Sequence, residues 1–194
     1  MMRGRPVIFD NEELVIKAQQ LFWEKGYNAT SLTDLLKVTG AGSGSFYNTF
    51  KGGKKEVFSK AIQQRRVEFI KFRNQLGETE NPIELIKDFF RSIANAHAQA
   101  HHKGCIIANT VVEMTFIDEE LEAQAIQILK EVEEMFTETI RLGQRNGQIK
   151  SKTNAEVLGK YLITFWCGLN TLRRMYPDKE VLSQQIEMQL AVIS

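Results

Sequence analysis

Apolar positions recur along this chain at intervals of three and four, the period of an amphipathic helix, and no stretch shows the strict alternation of a half-buried strand. Leu14, Ala18, Leu21 and Phe22 mark a first helix, with Trp23 read as core beside Phe22. Asp10 is a suitable N-cap, and Glu12 and Glu13 follow where carboxylates complement the helix dipole. Lys25-Gly26 supplies a cation and then a glycine as a stop. Thr30 and Ser31 open a second helix with Leu32, Leu35, Leu36 and Val38 as its apolar face, and Ser31 and Asp34 stand at capping-box spacing. Phe46 and Phe50, four apart, give a short third helix its inward face. The second and third are joined by Thr39-Gly40-Ala41-Gly42, and a glycine-containing turn between two short helices is how a helix-turn-helix reads in sequence.

Longer helices follow. One runs from 54 to about 76, until Gly77 and Glu78-Thr79-Glu80 break it. Asn81 as cap and Pro82 at the first helical position start the next, which is expected to reach about His101. A short apolar helix lies between Gly104 and Phe116, and a long one from Asp118 to Asn146-Gly147. The last two start at Thr153 or Asn154 and at Asp178. The expectation is an all-α fold of about nine helices, with one domain over 1–53 and a second over 54–194.

Composition narrows the class. The 43% hydrophobic content suffices for a packed core. No apolar run approaches the roughly 20 residues of a membrane span. The first residues lack the apolar core of a signal peptide. Two cysteines argue against a disulfide framework and make the cytoplasm the natural location. The net charge of +1 conceals an asymmetry: residues 1–73 hold 13 Lys and Arg against 7 Asp and Glu, the remainder 12 against 17. A basic N-terminal third on an acidic remainder fits local attraction to phosphates. No phosphate loop, nucleophile elbow or metal signature points to an enzyme, and no cofactor is expected.

With Phe46 and Phe50 inward, Ser43, Gly44, Ser45, Tyr47 and Asn48 turn outward. This face is small, polar and uncharged, and fits closely into a major groove. Asn bonds adenine edges bidentately, Ser and Tyr hydroxyls reach bases or phosphates, and Gly44 lets the backbone approach. Arg3-Gly4-Arg5-Pro6 stands just before the first helix, and arginines so placed are drawn to narrow A·T-rich minor grooves or to phosphates.

The ordered series Arg3-Gly4-Arg5-Pro6, Phe9-Asp10, Leu21-Phe22-Trp23-Glu24-Lys25-Gly26-Tyr27, Ala29-Thr30-Ser31-Leu32, Thr39-Gly40, Gly44-Ser45-Phe46-Tyr47-Asn48-Thr49-Phe50, Gly53-Lys54 and Val57-Phe58 resembles the N-terminal domain of the TetR family of transcriptional repressors. The likeness covers about the first sixty residues. It implies a homodimer that binds a palindromic double-stranded DNA operator through its third helix and a small-molecule inducer through its C-terminal domain. It also implies phosphate contacts from Tyr47, Thr30 and a lysine opening the fourth helix. Two departures stand out. Gly42 occupies a place where the family often has a capping Ser or Thr. The loop from Phe50 to Lys54 is one residue longer than usual, which leaves the phosphate role to Lys54 or Lys55.

The last two helices are apolar on more than one face, and a surplus face wants a second copy. Leu158, Leu162, Phe165, Leu169, Leu182, Ile186 and Leu190 are the expected dimer contacts, and the resemblance places the interface on these helices. Phe69, Phe72, Phe90, His97, Cys105, Met114, Phe116 and Trp166 are the expected ligand-site residues, since such sites are mostly apolar. The segment Gly104-Cys105-Ile106-Ile107-Ala108-Asn109 resembles a pattern in a NemR-like and AcrR-like subgroup, some of whose members respond to electrophiles through that cysteine. Cys105 reads either as a reactive thiol near a helix N-terminus or as a buried structural residue. His97, His101 and Cys105 would share a face of one continuous helix, but Gly104 interrupts it and no metal site is expected.

Overall fold

A computed structural model describes residues 11–175 and 178–194, the Ala98 side chain aside. Among these residues the chain is all-α, with ten α-helices, two single 3-10 turns and no strand. It divides into two compact units, one ending at Arg65 and the other running from Arg66 to Ser194. The division falls inside the fourth helix, whereas the sequence suggested a boundary at that helix's start.

The first unit comprises α1 (Asn11–Lys25), α2 (Leu32–Thr39), α3 (Ser43–Thr49) and the first half of α4 (Gly53–Glu78). Its core forms where Leu14, Ala18 and Phe22 of α1 meet Leu35, Phe46, Phe50, Val57 and Phe58, all buried. Phe22 and Phe58 pack edge to face at 4.8 Å, and Phe46 lies 5.3 Å from Phe50. Gln19, buried on α1, has its amide satisfied by the carbonyl oxygen of Ala61 at 2.7 Å. Trp23 corrects the sequence reading: it is half-buried and lies beneath the Arg65 guanidinium at 5.0 Å. Val38, expected on the apolar face of α2, is exposed.

The caps of α2 follow the sequence closely. Ser31 and Asp34 form a reciprocal capping box, and Gly40 closes the helix with φ 70°, a left-handed conformation that glycine adopts without steric cost. Gly42 is the N-cap of α3 and offers no side-chain acceptor to its first turn.

The second unit contains the rest of α4, α5 (Pro82–Ala94), α6 (Ala98–Lys103), α7 (Ile106–Met114), α8 (Glu119–Arg145), α9 (Ala155–Leu172) and α10 (Lys179–Leu190). Arg66 forks onto Glu131 at 2.6 and 2.8 Å, and Arg73 reaches Glu138 at 2.6 Å. Both pairs are 65 apart in sequence, so α4 and α8 run parallel. Arg91 ties α5 to α10 through both oxygens of Glu187, at 2.6 and 3.1 Å. At Gly159, α8 and α9 meet so closely that a Cβ would lie 2.0 Å from Thr137 Oγ1.

The helix expected to run to His101 stops at Ala94. The N–H groups of Asn95 and Ala96 turn back to the carbonyl oxygens of Ser92 and Ile93, and His97 takes an extended conformation as the N-cap of α6. This break raises the count above nine. Gly77, by contrast, is accommodated within α4. No helix among the described residues is long and apolar enough to cross a membrane.

Candidate nucleic-acid interface and C-terminal sites

The two faces of α3 separate as its apolar spacing predicts. Phe46 and Phe50 are buried, while Ser43, Gly44, Ser45, Tyr47 and Asn48 are all exposed. A Cβ at Gly44 would meet nothing within 4 Å, so the fold itself does not require glycine there. The Tyr47 ring rests edge-on against Phe46 at 5.7 Å, which fixes its direction, and the residue remains about half exposed.

Lys54, at the start of α4, places its ammonium 4.2 Å from the centroid of the Tyr27 ring. Tyr27 in turn packs on Phe58 at 4.8 Å. Lys54 and Lys55 are both half-buried. The exposed Lys51 beside them, in the turn after α3, was passed over in the sequence, although it belongs to the same lysine-rich stretch. Arg3 and Arg5 lie outside the described residues.

Thr30 differs from the expectation of a phosphate contact. It is fully buried, and its hydroxyl donates to the carbonyl oxygen of Gly26 at 2.7 Å, satisfying the end of α1. Its spacing before α2 suits a helix start, but the helix start is taken by Ser31. Ser31 is exposed, accepting from the Asp34 N–H at 3.1 Å and donating its hydroxyl to the Asp34 carboxylate at 2.8 Å. The Ser31 backbone N–H at 3.0 Å, then the Ser31 hydroxyl and the Lys25 ammonium, hold the Asp34 carboxyl well below the usual carboxylate range.

In the second unit, the expected ligand-site residues scatter. Phe72, Phe90 and Trp166 do come together, with Phe89, Phe136 and Phe165, which the sequence reading did not place there. Phe89 stacks on Phe72 at 4.8 Å and on Trp166 at 4.6 Å, and Phe90 stacks on Phe165 at 5.1 Å. The Trp166 Nε1–H is buried without an acceptor among the described residues. Phe69 borders a small pocket of about 40 Å³ between α4 and α8. Met114 is core, whereas His97 and Phe116 are exposed and are corrections to the ligand set.

Cys105 is buried at the N-cap of α7, with Arg173 nearby. Arg173 is itself buried, bonds the Ala100 carbonyl oxygen through Nη2, and leaves Nε without a partner among the described residues. Burial lowers its pKa, and the neighbouring Cys105 opposes that. Cys167 has its thiol pushed up to about 12 by burial and by Cys105. Among the described residues no cluster of His, Cys, Asp or Glu could hold a metal ion.

The expected dimer contacts need the largest correction. Leu158, Leu162, Leu169, Leu182, Ile186 and Leu190 are at most 4% exposed in the single chain and hold α9 and α10 to their own core. Phe165 packs on Phe90 and Tyr161. The exposed apolar residues of these helices are instead Val157, Leu172, Val181 and Met188. The sequence showed two apolar stripes without showing which faced inward. An open apolar cleft of about 920 Å³, lined by Val111, Val112, Ile126, Leu129, Ile163 and Cys167 among others, also went unseen, because it forms only where α7, α8 and α9 pack together.

Residues 15–61 match the family of bacterial regulatory proteins, tetR family, and residues 82–188 match the tetracyclin repressor-like, C-terminal domain. The chain is 25% identical over 178 residues to the HTH-type transcriptional repressor DhaR of Mycobacterium sp. (strain GP1), covering 89% of this chain and 86% of that one. The fold is shared with reduced NemR of E. coli at a TM-score of 0.79 and 18% identity, over 95% and 97% of the two chains. It is shared also with a cysteine-substituted TetR family regulator, CifR, complexed with 26 bp operator DNA, at a TM-score of 0.78 and 22% identity over 98% and 100%. The two family matches cover most of the described chain in order, and the chain belongs to the TetR family of DNA-binding transcriptional regulators.

Proposed function

We propose that the protein is a homodimeric repressor that grips a palindromic operator through the outward faces of two α3 helices and lets go when a small molecule binds its C-terminal unit. The observation that carries this reading is the division of α3, with Phe46 and Phe50 buried behind and small polar residues exposed in front. A helix locked from behind and uncharged in front suits close entry into a major groove. Ser45 and Asn48 are assigned to base edges, Tyr47 and Lys54 to phosphates, and Arg3 and Arg5 to the minor groove or phosphates. Tyr47→Ala is expected to weaken binding to every sequence, and Asn48→Ala to change which sequence is preferred. If Tyr47→Ala leaves affinity unchanged and Asn48→Ala leaves the preferred sequence unchanged, the assignment is contradicted.

The proposed dimer face is the outward stripe of α9 and α10, with Val157, Thr164 and Thr171 on one helix and Val181 and Met188 on the other, all exposed. For the inducer, the unpaired Trp166 Nε1–H supports a site within the aromatic cluster. A buried donor without a partner is costly, and a ligand acceptor would relieve it. The fitting ligand is an apolar molecule with one hydrogen-bond acceptor. Trp166→Phe is then expected to blunt release by inducer while DNA affinity is kept; unchanged release counts against this site.

A second reading has Cys105 as an electrophile or redox trigger. The position of Cys105 at the N-cap of α7, with the buried guanidinium of Arg173 nearby, favours this. Cys105→Ser would abolish release by electrophiles and leave DNA binding intact; release that persists removes the reading.

A further inference from the structure

We propose that the corner between α7 and α8 is a docking knob for a second copy of this chain, with Phe116 of each protomer entering the cleft that α7, α8 and α9 form on the other. The proposal rests on the dimeric reading above and adds a specific contact to it.

The corner itself is the first observation. Phe116 is fully exposed and has φ 65°, and among the described residues no other non-glycine has a positive φ. A bulky side chain is strained in that region. The strain belongs to a well-fixed turn. The N–H groups of Ile117 and Asp118 bond the Met114 carbonyl oxygen at 2.8 and 3.0 Å. The Thr115 hydroxyl reaches the Val111 carbonyl oxygen at 2.8 Å and Glu122 at 2.9 Å, and Asp118 accepts from the Leu121 N–H at 3.1 Å. A pinned backbone thus holds an aromatic ring in solvent, and among the described residues no interaction explains why the ring is there. Ile117 and Val112, 58% and 80% exposed, extend the apolar surface. Contiguous apolar surface of this kind marks an interaction site.

The second observation is the open cleft of about 920 Å³. Val112 lines it and stands four residues before Phe116, so knob and cleft adjoin on one surface. A patch that contains both a projecting and a receiving part is what a two-fold, isologous contact requires. At the α9 edge the cleft includes Thr171 and Leu172, continuous with the outward stripe proposed as the dimer face. These features select a second copy as the occupant. A small apolar molecule in the cleft would leave Phe116 and Ile117 uncovered.

The test places the photo-crosslinker p-benzoylphenylalanine at position 116 of the full chain. Irradiation is expected to give a covalent dimer whose cross-linked peptides map to the partner's 108–113, 126–133 or 163–172. A chain that elutes as a dimer but cross-links elsewhere, within itself or not at all overturns this proposal and leaves the dimeric reading standing. A monomer at micromolar concentration overturns both. As a second measurement, Phe116→Ala is expected to raise the dimer dissociation constant by roughly tenfold or more without loss of helix content. An unchanged constant also overturns the proposal.

Discussion

The ammonium of Lys54 lies 4.2 Å from the centroid of the Tyr27 ring, so the first cation of α4 is held against the turn that follows α1. Tyr27 is itself packed on Phe58 and beside Phe22, which makes the platform part of the core. A lysine steadied in this way presents its charge at a defined place. This contact favours Lys54 over Lys55 for the proposed phosphate role. Lys54→Ala is expected to weaken binding to specific and non-specific DNA alike and to lower the slope of log affinity against log salt by about one. Tyr27→Leu keeps the charge and is expected to have the smaller effect. Anisotropy titrations at several salt concentrations read both. A larger loss from Lys55→Ala than from Lys54→Ala would transfer the role.

Thr30 is predicted to act on stability instead of on DNA. Its hydroxyl bond to Gly26 is of a kind worth about 1 kcal/mol, and Thr30→Val removes it at nearly unchanged volume. Thermal unfolding is expected to show that loss, with the salt slope of DNA binding unchanged. A lower slope at unchanged stability would restore Thr30 as a phosphate contact.

Gly159 predicts a packing failure. An added Cβ would stand 2.0 Å from Thr137 Oγ1 and 3.1 Å from Thr137 Cβ. Gly159→Ala is expected to cost about 1–3 kcal/mol, as overpacking of a close helix contact does. Thr137→Ala should recover part of that cost in a double-mutant cycle, and strict additivity of the two changes would rule out the clash as its cause.

The acid side of the stability profile is set in part by Asp34 and Glu187. Ser31 and Lys25 lower the first, and Arg91 lowers the second. A carboxyl depressed in the folded state contributes stability above its unfolded pKa, near about 4, and that contribution is lost as pH falls below it. Asp34→Asn should therefore flatten the fall in denaturation midpoint below about pH 4. A variant whose midpoint falls as steeply as that of the unsubstituted chain would show that the capping box carries none of the acid sensitivity.

The sequence was most legible where local chemistry decides the structure. Ser31 and Asp34 at three-residue spacing form the capping box, and Gly40 ends α2 in the left-handed conformation that its position suggested. Phe46 and Phe50 turn inward and leave the expected polar face outside, because a helix of that length has room for one buried stripe. Legibility failed where tertiary partners decide. Thr30 has a type and a spacing that suit a helix start, yet the end of α1 claims its hydroxyl. Leu158 and Leu182 belong to helices that are apolar on more than one face, and only the packing of α9 and α10 shows that these two face inward. Phe116 looked like one more aromatic for a pocket, because a positive φ leaves no trace in composition.

The central claim is that two α3 helices, fixed by a two-fold axis, read one DNA site. Selection of bound sequences from random duplexes by the full chain, followed by footprinting, tests it most directly. The expected result is a palindrome whose half-sites lie about one helical turn apart, roughly 10 bp or a multiple of it, with protection in successive major grooves. Asn48→Ala should relax the preference at the same symmetric positions in both halves. Binding to a single asymmetric site, or an affinity indifferent to both sequence and salt, would contradict the account.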